Sequence, residues 1–148
     1  MLRKTVQPAL NERTNREYFS FEFYLSMAAS CEGKNPRGFT KWLKVQSAGE
    51  TKHGMKISGY IFDRNGTIML HGIDQPLADF TSPAELFRQA LEHQQKATAS
   101  MTKLFELSNE DNDYPAQIVL QRFNKEQGEE DKTTIGIAEQ LRPSAILP

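Results

Sequence analysis

Glu50 and His53 stand three residues apart in the stretch KVQSAGETKHGMKIS. At helical spacing, a carboxylate and an imidazole then share one face. Trp42, Leu43, Ile57 and Tyr60 fall on the same face, so the two polar groups aim at a core. Carboxylates joined by an imidazole suit iron or manganese, while zinc fits less well without thiolates. A lone Glu-x-x-His is a weak signal, because most such pairs sit on solvated helix surfaces. Its meaning depends on what else reaches the same level of the fold.

The chain that positions these groups has 148 residues, the length of a single domain spanning residues 1–148. That suffices to bury a core without covalent staples. A single cysteine, Cys31, rules out an intrachain disulfide and suits a reducing, cytoplasmic setting. The N-terminal stretch lacks the apolar run of a secretory signal, and no stretch is long and apolar enough to span a membrane. Formal net charge is −1 with both signs mixed, which gives a nucleic-acid partner no electrostatic support.

Punctuation and periodicity predict an all-α fold with helices at 8–32, 36–64, 83–109 and 114–141. Asn35-Pro36, Ser82-Pro83-Ala84-Glu85 and the stretch NDYP read as helix starts. Gly33 and Gly66 stand where helix C-terminal glycines belong. Steps of three and four run through Leu10, Thr14, Glu17, Phe21 and Tyr24 in the first helix, and through Leu43, Gln46, Glu50, His53 and Ile57 in the second. The third and fourth carry Phe87, Ala90, Gln94, Ala97 and Met101, then Phe123, Gln127, Glu130, Thr134 and Ile137. Such seams pack antiparallel bundles. Short connections make hairpins of helices one and two and of three and four. Residues 65–82 reach roughly 60 Å when extended, whereas a helix of this size spans about 40 Å. This segment therefore crosses the whole bundle, and helix two runs parallel to helix three. Its strand-like part, GTIMLHGI, offers an edge to a partner such as a second copy.

The polar interruptions of the seams align. Counted from a turn near residue 34, Glu17 lies 17 residues before, and Glu50 and His53 lie 16 and 19 after. Counted from a turn near residue 112, Gln94 lies 18 before, and Gln127 and Glu130 lie 15 and 18 after. Antiparallel pairing brings all six into one layer, with Tyr24 two turns from Glu17. Three carboxylates cannot share an interior unpaired. With no lysine or arginine on the seams to neutralise them, one or two divalent metals are the expected partner.

The sequence here resembles the ferritins, specifically the bacterial non-haem type, over about residues 8–141. LNERTNREYFSFEFYLSMA is similar to that family's first helix, and FTKWLKVQSAGETKHGMKISGYI to its second. ELFRQALEHQQKAT and FNKEQGEED resemble the third and fourth. The resemblance implies a ferritin-like four-helix bundle of two antiparallel hairpins joined by a long crossover loop. It implies a dinuclear non-haem iron centre that oxidises ferrous iron with dioxygen and stores the ferric product. Carried over by position, Glu17 and His53 hold one iron, Glu50 bridges, and Glu130 holds the second. Gln127 lies close by, and Tyr24 is a neighbouring redox-active phenol. Glu126, Glu129 and Glu130 match an accessory third site. No haem is expected, because Lys52 stands where the related bacterioferritins place a haem-ligating methionine, and Thr133 replaces the histidine of their fourth helix.

Three departures stand out. Gln94 occupies a family glutamate position on the third helix. Gly49 replaces the first glutamate of the pair on the second, which removes a ligand of the accessory site. RPSAILP after Leu141 is too short for the family's fifth helix, so a two-fold homodimer is expected and a full cage is an open question. The expected function is an iron-storing ferroxidase subunit weakened at Gln94. The alternative is a structural subunit that keeps the fold and co-assembles with active partners.

Overall fold

The computed structural model describes residues 2–33 and 37–141. Four helices account for most of them: α1 (Val6–Cys31), α2 (Arg37–Asp63), α3 (Pro83–Glu110) and α4 (Tyr114–Leu141). Their bounds agree with the sequence-predicted helices to within two residues. The Asn35-Pro36 start signal and the RPSAILP tail lie outside the described residues.

The helix ends follow local chemistry. Ser82 Oγ accepts a hydrogen bond from the Glu85 amide at 3.1 Å, and Pro83 supplies the first helical turn of α3. Asp113 Oδ1 caps α4 by accepting from the Ala116 amide at 3.3 Å. Gly33 takes the left-handed conformation after α1 (φ +72°), as its position predicts. After α2 the left-handed residue is Asn65 (φ +57°) rather than Gly66. Gly66 serves a different need: a Cβ there would lie 2.8 Å from Ile61 Cγ2 and 2.9 Å from Gln7 Oε1. The glycine lets the chain leave α2 close against α1.

Contacts fix the topology. Phe39 and Trp42 of α2 pack on Phe87 near the start of α3, with ring centroids 5.2 and 5.4 Å apart. Farther along α2, His53 meets Phe123, and Arg64 pairs with Asp113 at 3.1 Å. Thus α2 and α3 run parallel and α4 runs back along α2, as the long crossing requires. The apolar interior divides into two cores. One gathers Val6, Leu10, Ile57, Ile61, Met101, Leu104, Leu120 and Phe123. The other gathers Phe23, Tyr24, Met27, Leu43, Leu86 and Phe87. Between them lies a belt of buried polar groups, including Arg13, Thr14, Glu17, Ser47, Glu50, Gln94 and Gln127.

The crossing segment is extended, but no strand occurs among the described residues. Side-chain amides on α1 satisfy its backbone instead. The Thr67 amide donates to Gln7 Oε1 at 3.3 Å. Asn11 Nδ2 donates to Thr67 O, and Asn11 Oδ1 accepts from the Met69 amide, both at 2.8 Å. Asn15 repeats the pattern one turn on, donating to Met69 O at 2.9 Å and accepting from the His71 amide at 3.3 Å. The register works because four helical residues rise about 6 Å, close to the roughly 6.7 Å of two extended residues. Gln7, Asn11 and Asn15 thus do for the segment what a neighbouring strand would do.

Replacing Asn11 with alanine removes both of its bonds to the segment. The expected cost is about 1–3 kcal/mol of unfolding free energy in a denaturant titration, with faster hydrogen exchange at the Met69 amide.

Candidate metal centre

Each helix delivers side chains to the belt by its own periodicity. Glu17 and Tyr24 stand two turns apart on α1, and both are buried. Glu50 and His53 stand on the same stripe of α2, which carries Leu43 and Ile57 into the core. Gln94 comes from α3, and Glu126, Gln127 and Glu130 come from α4. Glu17, Glu50 and His53 each present a ligand atom within 4.8 Å of the others. His53 Nδ1 is 3.8 Å from Glu17 Oε2, and its Nε2 is 3.0 Å from Glu126 Oε2 and 3.8 Å from Glu130 Oε1. Of the sequence-predicted site residues, Glu129 alone stays on the exposed face of α4. A Cβ added at Gly49 would meet open space.

One expectation fails. The belt does hold a cation: Arg13, 3% exposed. Its Nε donates to Glu17 Oε1 at 2.7 Å, one terminal nitrogen donates to Ala97 O at 2.8 Å, and the other reaches Gln127 Oε1 at 3.3 Å. Arg13 sits one residue off the strict seam, and its long side chain covers the difference. The i, i+4 spacing of Arg13 and Glu17 was the available signal.

The amides form a chain beside the guanidinium. Gln127 Nε2 donates to Gln94 Oε1, and Gln94 Nε2 donates to the Tyr24 hydroxyl. Both ends of Gln94 are therefore engaged by protein. His93 lies apart from the carboxylates. It stacks on Phe23 at 4.6 Å and shares a 2.7 Å hydrogen bond with Ser20. Burial lowers its pKa to about 4.

The carboxylates differ in charge. Burial pushes Glu17 upward, but the neighbouring Glu50 and His53 and the Arg13 charge outweigh it and bring the pKa to about 2. Glu50 is raised well above the ordinary range by burial and by the close negative charge of Glu17. Within the pair Glu17 ionises first, and Glu50 keeps its proton to higher pH. Burial favours neutral His53, yet Glu17 and the other surrounding carboxylates raise its pKa. Glu130 is raised by burial and by Glu17 and Glu126, against the pull of His53. Tyr24 is raised chiefly by burial and stays a neutral phenol.

These residues fit a divalent cation. Glu17 Oε2 and Glu130 Oε2 are buried without a hydrogen-bond partner, which is costly for a carboxylate oxygen. A cation between Glu17, Glu50 and His53 would displace the Glu50 proton and give Glu17 Oε2 a ligand bond. Carboxylate oxygens and one imidazole are the donors that iron and manganese accept.

Comparison with known proteins agrees with the fold. The ferritin-like domain family matches residues 7–142. The chain is 36% identical over 131 residues to the bacterial non-heme ferritin of Staphylococcus aureus, covering 88% of this chain and 79% of that protein. For the counterpart in Staphylococcus epidermidis the values are 38% over 133 residues, covering 90% and 80%. Among solved structures, the open pore ferritin of the archaeon Archaeoglobus fulgidus superimposes with a TM-score of 0.92 at 30% identity, covering 95% of this chain and 86% of that one.

The Glu50 proton sets a pH dependence. The folded pKa exceeds the unfolded value, so folding binds a proton. Stability from this group falls as pH rises above the ordinary value near 4.5 toward the raised one. Glu17 acts in the opposite sense: its contribution is present above 4.5 and is lost as pH falls toward about 2. Glu50→Gln mimics the protonated acid. Thermal unfolding without added metal is expected to match wild type or rise at pH 7–8, with the alkaline decline reduced, while cation affinity measured by calorimetry falls.

Proposed function

The chain belongs to the ferritin family, of the bacterial non-haem type, and we propose that it binds ferrous iron in the polar belt, oxidises it with dioxygen and passes the ferric product to storage. The observation that carries this reading is the cluster of Glu17, Glu50 and His53, held between two apolar cores with unpartnered carboxylate oxygens beside it. Intact, that set favours an active subunit over one that only builds a shell.

Ferrous iron is the substrate. Glu126 is 45% exposed and lies 3.0 Å from His53 Nε2, so it links solvent to the belt and offers an entry contact. Glu17, Glu50 and His53 form the first iron position. A second iron would turn to Glu130 and share Glu50, with Gln94 and Gln127 beside it. Gln94 is the weaker ligand there, since an amide brings no charge and its oxygen already accepts from Gln127. Each ferrous ion gives one electron. Reducing one dioxygen to hydrogen peroxide therefore consumes two ferrous ions and two protons. Tyr24 places a neutral phenol at the edge of the belt.

Assembly belongs to the same proposal. Leu25, Val45 and Met55 on α1 and α2, with Met69, Leu70 and Leu77 on the crossing segment, expose large apolar side chains. They suit a homodimer through this side of the bundle, as a cytoplasmic storage subunit requires at least. Among the described residues no helix is long and apolar enough to cross a membrane.

His53→Ala removes the only imidazole of the cluster. Anaerobic ferrous titration is expected to lose the tightest binding step, and stopped-flow oxidation at two irons per subunit to slow at least ~10-fold, in keeping with loss of a metal ligand. Titration and rate equal to wild type would defeat the proposal. Light scattering at micromolar concentration is expected to find a dimer or larger species.

A further inference from the structure

We infer that Arg13 takes the place of a second metal ion in the belt, so that the bundle binds one divalent cation per subunit, at Glu17, Glu50 and His53. The inference rests on the iron-binding reading above and settles how many ions that site takes.

Geometry divides Glu17 between two cations. Its Oε1 accepts from the Arg13 guanidinium at 2.7 Å, on the side facing α3 and α4. Its Oε2 has no hydrogen-bond partner and faces His53 Nδ1 at 3.8 Å, on the side facing α2. A metal ion fits the second side and meets a fixed positive charge on the first. The guanidinium is not a mobile surface group. It is 3% exposed, and three separate acceptors fix its plane: Glu17 Oε1, Ala97 O and Gln127 Oε1. Gln127, which it engages, in turn holds the Gln94 oxygen. Both amides on that side of the belt are thus tied into a network anchored on Arg13 and Tyr24.

Charge acts in the same direction. Arg13 places a fixed positive charge directly beside Glu17. A second divalent cation on that side of Glu17 would oppose this charge in a buried layer, which low local dielectric penalises. Gln94 is the complementary change on α3: where a guanidinium already stands, a neutral amide adds no further charge. Arginine also differs from a bound ion in that it cannot leave, so the network holds its shape whether or not iron is bound.

The test counts ions with a redox-inert probe. Crystals of the full chain soaked in zinc, measured at the zinc edge, reveal ions inside the bundle by anomalous scattering. Isothermal titration in solution measures their affinities. Wild type is expected to hold one internal ion, with any second step at least ~100-fold weaker, as expected for opposing a fixed charge a few ångströms away. Arg13→Lys, which keeps the charge, is expected to hold one. The double variant Arg13→Gln with Gln94→Glu is expected to hold two. Two comparably occupied internal ions in wild type would overturn the assignment of Arg13 while leaving iron binding intact. A double variant that still holds one would overturn it as well. No internal ion in any variant would overturn both this inference and the iron-binding reading. The wild-type count decides even if the double variant does not fold.

Discussion

Carboxylates buried midway along a helix bundle must be neutralised, and this constraint orders the whole molecule. Glu17, Glu50 and Glu130 meet between two apolar cores, where an unpaired charge is expensive. The chain answers in three ways at once. Arg13 pairs with one oxygen of Glu17, Glu50 is biased toward its protonated form, and His53 is drawn toward its charged form. Each answer is partial, because buried oxygens of Glu17 and Glu130 still lack partners. An assembly left this way in a stable fold is an arrangement for receiving a cation.

The fold gives that arrangement its precision. Ligands arrive on three helices, so their separation depends on helix phase and on the vertical register of the hairpins. Turn chemistry sets the register: Asn65 and Asn112 take left-handed conformations at the ends of α2 and α3, and Arg64 ties the end of α2 to Asp113 at the start of α4. The crossing segment adds a longitudinal strap. Its pairing with Gln7, Asn11 and Asn15 holds α1 against the exit of α2 along the turns that lead up to Glu17. Apolar cores above and below prevent water from relaxing the belt.

Much of this was legible in the sequence, and the parts that were not share a cause. Three-and-four periodicity located all four helices, and counting from the turns placed Glu17, Glu50, His53, Gln94, Gln127 and Glu130 at one height. The same counting missed Arg13, because a strict seam assigns inside and outside by Cα position alone. A guanidinium at the end of a long stem can enter from the flank. The strand-like look of residues 66–73 came from composition, and composition does not say whether the hydrogen-bonding partner is a backbone or a row of amides. Gly66 reads in the sequence as a conformational glycine, whereas its role is close approach, visible once Ile61 and Gln7 are in place. Glu129 belongs to a motif by sequence, yet helix phase turns it outward.

If the belt is a receptor for a cation, the protein should be more stable with its cation than without. Thermal unfolding under anaerobic conditions, with and without ferrous iron at about 100 times its dissociation constant, measures this directly. Binding linkage predicts a rise of about 5–10 °C in Tm for a domain of this size. An unchanged Tm at that loading would contradict the account, because a site of unpartnered buried carboxylates cannot take up a divalent ion without stabilising the fold that holds them.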